Sequence, residues 1–304
     1  MTDAAATPLL VGAYATLQPE PEQQAAFYAG LREAGVDGLE IPDFHVRGED
    51  GARLEALEQV LGLGFTSSVV TAIPSTMKRQ GPRPGEGLAS ADEELRRAAL
   101  GFIGEVVTAI TGTNDALGRA AITGLLVHSA PTGGADADAF RRSLEELAGT
   151  TTAAGLRLLV EHCDAASGVG PGEKRFLDLA EEIAAARELG VPLTINWGRS
   201  VVESHDPRTP EQQIRELAAA GLLGGIAFSG AGGEATGYGA AWGDVHLPLD
   251  ADEPASLMTP AIVRACLEAA DGAEQYRAVK VQAPSGADVT ERLAIIGSIA
   301  GLLR

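Results

Sequence analysis

Leu156-Arg-Leu-Leu-Val-Glu-His-Cys-Asp164 opens as a largely aliphatic run after Gly155 and ends in four consecutive residues that can ionise or bind a metal. The aliphatic part reads as a buried strand. In a parallel sheet covered by helices, ligands bind at the carboxyl ends of the strands, so Glu161, His162, Cys163 and Asp164 stand where a site is expected. A buried strand end is a costly place for a carboxylate unless it is paired or used. The alternative is that Glu161 caps the following loop and its neighbours are incidental.

On both sides of this stretch short apolar runs alternate with longer amphipathic segments, with no linker-like break. Strands are expected over 8–14, 38–42, 65–73, 122–128, 156–164, 191–196, 224–229 and 278–282. Helices are expected over 21–34, 50–61, 90–110, 136–148, 173–189, 210–220, 259–270 and 288–303, with a Pro- and Gly-containing loop after the third strand. Gly35 and Gly190 are stop signals, Asp50 and Thr209 are candidate N-caps, and Pro210 suits a first helical turn. Eight strand-then-helix units of this spacing are what a closed barrel requires, so the fold class is α/β, a single (β/α)8 TIM-barrel domain over 1–304. An open doubly wound sheet is the alternative, but no Gly-x-Gly-x-x-Gly opens a helix after the first strand. Between the seventh strand and its helix lies the long segment 230–258, Gly-rich at its start and carrying Tyr238, Trp242, Asp244 and His246. It reads either as a lid over the site or as a surface excursion.

The chain is 45% hydrophobic but only 4% aromatic, so its core must be built from Ala, Leu, Val and Ile, which suits helices packed on a parallel sheet. A net charge of −19 argues against nucleic-acid or anionic-membrane partners, which need clustered Lys and Arg. Cys163 and Cys266 lie far apart and form no paired framework, so a reducing, cytoplasmic setting is expected. The amino terminus has no basic and apolar leader pattern, and no segment is long enough to span a bilayer. A homo-oligomer is compatible with the chain, although no interface can be singled out.

The polar residues at the strand ends are Tyr14, Glu40, Thr71, His128, Glu161, Asn196, Ser229, Lys280 and Gln282. Side chains alternate along a strand, so Glu161 shares a direction with Cys163, and Lys280 with Gln282. A Lys inside a barrel is costly unless paired or used; Lys280 is read as a site residue, with an outward position or an ion pair to Glu161 as alternatives. His128 is either a site residue or a satisfied core histidine. Arg199 either clamps an anion or pairs with Glu203. His45 and His205, in loops, read as solvated.

Leu39-Glu-Ile-Pro42, Thr71-Ala-Ile-Pro74 with Thr76-Met77, His128-Ser-Ala-Pro131, Glu161-His-Cys-Asp164, Phe228-Ser-Gly230 and the segment 242–248 resemble, in order and spacing, the xylose isomerase-like TIM barrels. That superfamily comprises sugar isomerases, sugar epimerases and endonuclease IV; within it the chain is most similar to the DUF4862 family. The resemblance implies an enzyme acting on carbohydrates. It also implies a divalent-metal site made by Glu on strand five, Asp on strand six, His on strand seven and Glu on strand eight. Here Glu161 matches the first, while Asn196, Phe228 or Ser229, and Gln282 stand at the other three, and Arg199 stands where relatives place a further His. One carboxylate beside two amides holds a hard cation poorly.

The expectation is therefore an isomerase- or epimerase-like enzyme without the usual metal, acting by proton transfer beside a carbonyl on an anionic, sugar-like small molecule. Glu161 is the base, His128 the partner acid, and Lys280 the group polarising the carbonyl in place of the metal. Glu40, Asn196, Arg199, Ser229 and Gln282 bind substrate, and Trp242 and His246 close over it from the lid. Two other readings stay open. One is a relocated metal held by Glu161, His162 or Asp164 with His246; the other is a barrel that binds a sugar-like ligand without turning it over.

Overall fold

The computed structural model describes residues 6–16, 20–48 and 51–304, with the backbone alone for 51–55. In chain order the elements are β1 (Leu9–Val11), α1 (Pro21–Glu33), β2 (Gly38–Pro42), α2 (Asp43–Val46), α3 (Gly51–Gly62), β3 (Ser68–Thr71), α4 (Ile73–Gln80), α5 (Glu93–Leu117), β4 (Ile122–Val127), α6 (Ala137–Ala153), β5 (Arg157–His162), α7 (Leu179–Arg187), β6 (Leu193–Asn196), α8 (Trp197–Ser204), α9 (Thr209–Ala219), β7 (Leu223–Phe228), α10 (Pro260–Ala270), β8 (Arg277–Val279) and α11 (Val289–Ala300). The strands are parallel and pair in sequence order into a closed barrel, with β1 against β8 through Leu10↔Ala278 and Val11↔Val279.

Local chemistry accounts for the boundaries. Asp92 caps α5 by accepting from the N–H groups of Glu94 and Leu95, and Gly118, with φ of 64°, ends it in the left-handed conformation. Capping boxes start α7 (Asp178 with Glu181) and α11 (Asp288 with Glu291). Thr259 caps α10, while α9 begins one residue before Pro210 and takes no side-chain cap, so Thr209 is not the N-cap its sequence suggested. Asp50, the other candidate cap, lies outside the described residues.

Three short helices, α2, α4 and α8, follow strands directly where a loop was expected. Pro74 does not prevent α4, because in a first turn its missing N–H would have no intrahelical partner anyway. Among the described residues no helix is long and apolar enough to cross a membrane.

Most of the core lies between barrel and helices, where side chains such as Val70, Leu125, Val160, Ile195 and Phe228 meet the helical faces. Each such fully buried side chain contributes roughly 1.5–3 kcal/mol. A second, smaller cluster fills the barrel itself: Leu10, Val69, Leu126, Leu159, Ala227, Tyr276 and Ala278. Tyr276 lies across the interior with its hydroxyl 2.9 Å from Thr194 Oγ1. It fits because Gly225 has no side chain; a Cβ there would stand 2.4 Å from the ring. Gly225→Ala is expected to destabilise the chain by about 1–3 kcal/mol through overpacking. Urea unfolding reads this directly, and an unchanged midpoint would mean that the ring has room to move.

Candidate active site

Period-two alternation sets the next layer of the barrel. Two residues beyond the apolar interior cluster, each strand turns another side chain or a glycine toward the axis: Gly12, Glu40, Thr71, His128, Glu161, Asn196, Ser229 and Lys280. An apolar plug thus underlies a polar layer at the carboxyl ends of the strands. Gly12 serves that layer by leaving room for the Lys280 stem, whose Cγ would be 2.9 Å from a Cβ at this position.

Glu161 is the centre. It is wholly buried, and both its carboxylate oxygens are taken. Oε2 lies 2.9 Å from His128 Nε2 and 2.9 Å from an Arg199 guanidinium nitrogen. Oε1 accepts from Asn196 Nδ2 at 3.1 Å and stands 3.8 Å from Lys280 Nζ. Burial alone would raise the Glu161 carboxyl; Arg199 and Lys280 more than reverse this and hold it well below the usual carboxylate range. Burial lowers His128, so the ring is neutral, and Nε2 carries the proton it donates to the Glu161 carboxylate. His128 Nδ1 is buried without a hydrogen-bond partner. Asn196 does two things at once: Oδ1 caps α8 through the Arg199 N–H at 3.4 Å while Nδ2 holds Glu161, so the helix start and the carboxylate share one anchor.

Lys280 is fully buried and makes its shorter contact to Glu40, at 2.7 Å rather than the 3.8 Å to Glu161. Tyr14 donates its hydroxyl to the same Glu40 oxygen at 3.1 Å, and the ammonium lies 5.5 Å from the centre of the Tyr14 ring. Burial would lower Lys280, but Glu40 and Tyr14 hold it well above its ordinary value. It is therefore an ammonium, not the neutral amine that a Schiff base would need.

The segment after β7 packs over this layer. Gly230 and Leu247 pair as an isolated antiparallel bridge, and Gln282 holds the segment at two points, its N–H to His246 O (2.7 Å) and Nε2 to Val245 O (2.8 Å). Asp244 reaches down to Arg199 Nε at 3.1 Å and to Lys174 Nζ at 3.3 Å. Burial would raise the Asp244 carboxyl, and Arg199 and His246 instead drive it far down. His246 Nδ1 is 2.6 Å from Ser229 Oγ, and burial lowers its ring to about 4, so it is neutral.

The structure thus brings together Glu161, His128, Lys280, Glu40, Asn196, Arg199, Ser229, His246 and Gln282. It does not bring in Trp242, His162 or Asp164. Trp242 stacks on His205 at 3.9 Å between ring centres and so anchors the long segment. His162, next along β5 from Glu161, faces the helices. Its Nδ1 meets Glu182 at 2.7 Å and its Nε2 meets Glu203 at 3.0 Å. Burial would lower His162, but these carboxylates push it up to about 10. Asp164 Oδ2 accepts the backbone N–H groups of Glu173, Lys174 and Arg175, fixing the loop that carries Lys174. Of the two readings of Arg199, the pairing with Glu203 is not formed; Arg199 is held by Glu161 and Asp244. The residues that sequence reasoning passed over are Asp244 as a counter-ion and Lys174 beside it, and a separation of 70 positions leaves no local signal for their meeting.

These donors do not fit a divalent cation. Glu161 has no free carboxylate position, its partners are an ammonium, a guanidinium, one amide and a single imidazole that already donates to it, and among the described residues no three His, Cys, Asp or Glu side chains gather as a metal would require. The set proposed for a relocated metal is likewise not assembled, since His162 and Asp164 are committed elsewhere.

A family model described as a domain of unknown function, DUF4862, matches residues 10–295. The uncharacterized protein STM3670 of Salmonella typhimurium is 33% identical over 310 residues, covering 95% of this chain and 94% of its own. Among solved structures, a D-tagatose 3-epimerase-like protein superposes with a TM-score of 0.63 at 13% identity over 98% of both chains. The 3-keto-D-glucoside 4-epimerase YcjR of E. coli does so with 0.58 at 14% identity, over 96% of this chain and 98% of its own. The likeness to the solved structures is one of fold, the TIM barrel.

Proposed function

Because the chain belongs to the DUF4862 family, and because its barrel mouth gathers two carboxylates around one ammonium, we propose that it is a sugar isomerase- or epimerase-like enzyme. The reaction is proton transfer beside a carbonyl of a carbohydrate-like small molecule. The observation that carries this reading is Glu161, a wholly buried and ionised carboxylate held by His128, Asn196 and Lys280 at the ends of β4, β6 and β8 and by Arg199 on α8, at the barrel position the resemblance gives to a metal ligand. Two solved proteins of this fold bear the names of a sugar epimerase and an epimerase-like protein, which supports the same class.

In this reading substrate draws Arg199 and Lys280 toward its own oxygen, the oxygen of Glu161 so freed takes the proton from carbon, and the hydrogen-bonded Glu161–His128 pair returns that same proton to oxygen, leaving both groups as they began. Lys280 and Arg199 supply the positive charge that stabilises the developing oxyanion, the part a divalent cation would otherwise play. Asn196 orients Glu161, and the segment 230–258 excludes water when it lies over the mouth.

The three cations of the mouth, Lys280, Arg199 and Lys174, each face carboxylates of the chain, chiefly Glu40, Glu161 and Asp244. A neutral sugar leaves these pairs intact and is the preferred substrate. The anionic substrate expected from the sequence has one observation in its favour: Asp244 rides on the long segment, so lifting that segment would take one carboxylate from Arg199 and Lys174, leaving them Glu161 and Glu173 and a place for a substrate anion between them. The test is proton NMR of neutral ketoses, sugar acids and sugar phosphates incubated with the chelator-treated protein in D2O. Deuterium entering beside the carbonyl, undiminished by chelator, is the expected result. Exchange that appears only on adding Mn²⁺, Mg²⁺ or Zn²⁺ would overturn the metal-free reading, and binding without exchange would make the protein a sugar-binding barrel instead.

A further inference from the structure

Off the barrel axis, between β1, β2 and the helices α1, α2 and α3, lies a cavity of about 460 Å³. It has two unlike ends. Tyr14 and Glu40 border it with the polar groups that also hold Lys280, and Glu40 faces the axis on β2. The opposite wall is mostly apolar and aromatic, built by Tyr28, Phe44, Leu57 and Val60 from the helices, with Gln24 and His45 the polar side chains among them. That wall arises from the same alternation that turns Glu40 inward: the neighbouring residues of β2, Leu39 and Ile41, face the helix layer and line the cavity there.

A free sugar is polar around its whole rim, and burying its hydroxyls against a wall with so few polar side chains leaves most of them without hydrogen-bond partners, which is costly. The volume falls within the range of small-molecule sites, which are mostly apolar with a few placed polar groups. We propose that this cavity is a binding site for an apolar substituent, aryl or short alkyl, carried by the sugar-like substrate whose polar part lies at Tyr14 and Glu40. This assignment rests on the carbohydrate reading above and narrows it: the substrate is amphiphilic rather than a free monosaccharide. Tyr14 marks the boundary between the two parts, since its ring faces the cavity while its hydroxyl binds Glu40.

The experiment is calorimetric titration of the intact protein with methyl β-D-glucoside and phenyl β-D-glucoside, two probes alike in the sugar and different in the apolar group. The phenyl compound is expected to bind at least about tenfold more tightly, equivalent to about 1.4 kcal/mol. Val60→Trp, which fills the cavity, is expected to abolish that preference, and Phe44→Ala to weaken it, with thermal melts confirming that both variants fold. Equal affinity of the two probes for the wild-type protein, binding of neither, or a phenyl preference that survives Val60→Trp would each overturn the assignment. The proton-exchange assay separates this inference from the reading beneath it. Exchange on free ketoses with no phenyl preference discards the apolar site and keeps the enzyme. A Val60-dependent phenyl preference with no exchange on any sugar keeps the site and discards the enzyme.

Discussion

Glu161→Gln is expected to destabilise the protein by about 3 kcal/mol or more, the scale of breaking a buried ion pair from one side. It is also expected to slow proton transfer by about 10²–10⁴-fold, the usual contribution of a positioned acid or base. The size follows from the contacts. Glutamine keeps the shape and one acceptor, but it removes the negative charge that Arg199 approaches at 2.9 Å and Lys280 at 3.8 Å, and it turns an amide N–H₂ toward one of those donors. Asp244 and Glu40 remain as partners, which is why the chain is weakened rather than prevented from folding.

The acid side carries a second signature. A carboxyl depressed in the folded state contributes stability that is fully present above its unfolded value and is lost as pH falls toward the folded one. Between about pH 4.5 and the acid limit the wild-type protein should therefore lose stability more steeply than the Gln variant. Guanidinium unfolding from pH 2 to 7 measures this; parallel profiles would mean that Glu161 is not the ionised centre of the cluster.

The second large effect lies outside the site. His162→Ala is expected to cost about 3–5 kcal/mol while leaving turnover per folded molecule close to wild type. The imidazolium sits between Glu182 and Glu203, ties β5 to α7 and α8, and is wholly buried, so its removal leaves Glu182 buried without its neutralising partner. Here the pH dependence runs the other way. Because the two carboxylates push His162 up to about 10 against burial, its contribution is fully present below the unfolded value near 6.5 and is lost as pH rises through about 10. Wild-type stability should fall across that interval and the Ala variant's should be flatter there. A variant with wild-type stability would show that the Glu182–Glu203 pair tolerates an empty centre.

The fold and the placing of Glu161 and Lys280 in the candidate site were legible because both depend on short-range regularities. Eight apolar runs separated by amphipathic helices specify a barrel, and alternation along β5 and β8 turns Glu161 and Lys280 to the axis. The same alternation places His162 among the helices, so its exclusion from a metal set could have been read from its odd step beside Glu161. Other features have no local signature. Trp242 was assigned to substrate because it lies in a long loop, yet its partner His205 comes from the end of α8, where φ of 56° turns the chain. Arg199 was legible as an important cation, but its pairing with Asp244 across 45 positions depends on how the long segment packs. Helix α4 was hidden by a Pro that reads as a breaker in isolation and is harmless in a first turn.

Asp244 has one further consequence, set by where its covalent attachment lies. It belongs to the segment after β7, while Arg199 belongs to α8 and Lys174 to the loop after β5, so raising that segment would separate unlike charges. The uncovered mouth is more positive than the covered one, within a chain of net charge −19. On the proposed lid reading the segment would then behave as an electrostatic latch. Its grip weakens as ions in the medium screen the exposed partners, over a screening length of about 10 Å at 0.1 M salt. The dwell time of anything trapped beneath it would shorten accordingly, making residence in the barrel a property of the surrounding ionic strength as well as of the protein.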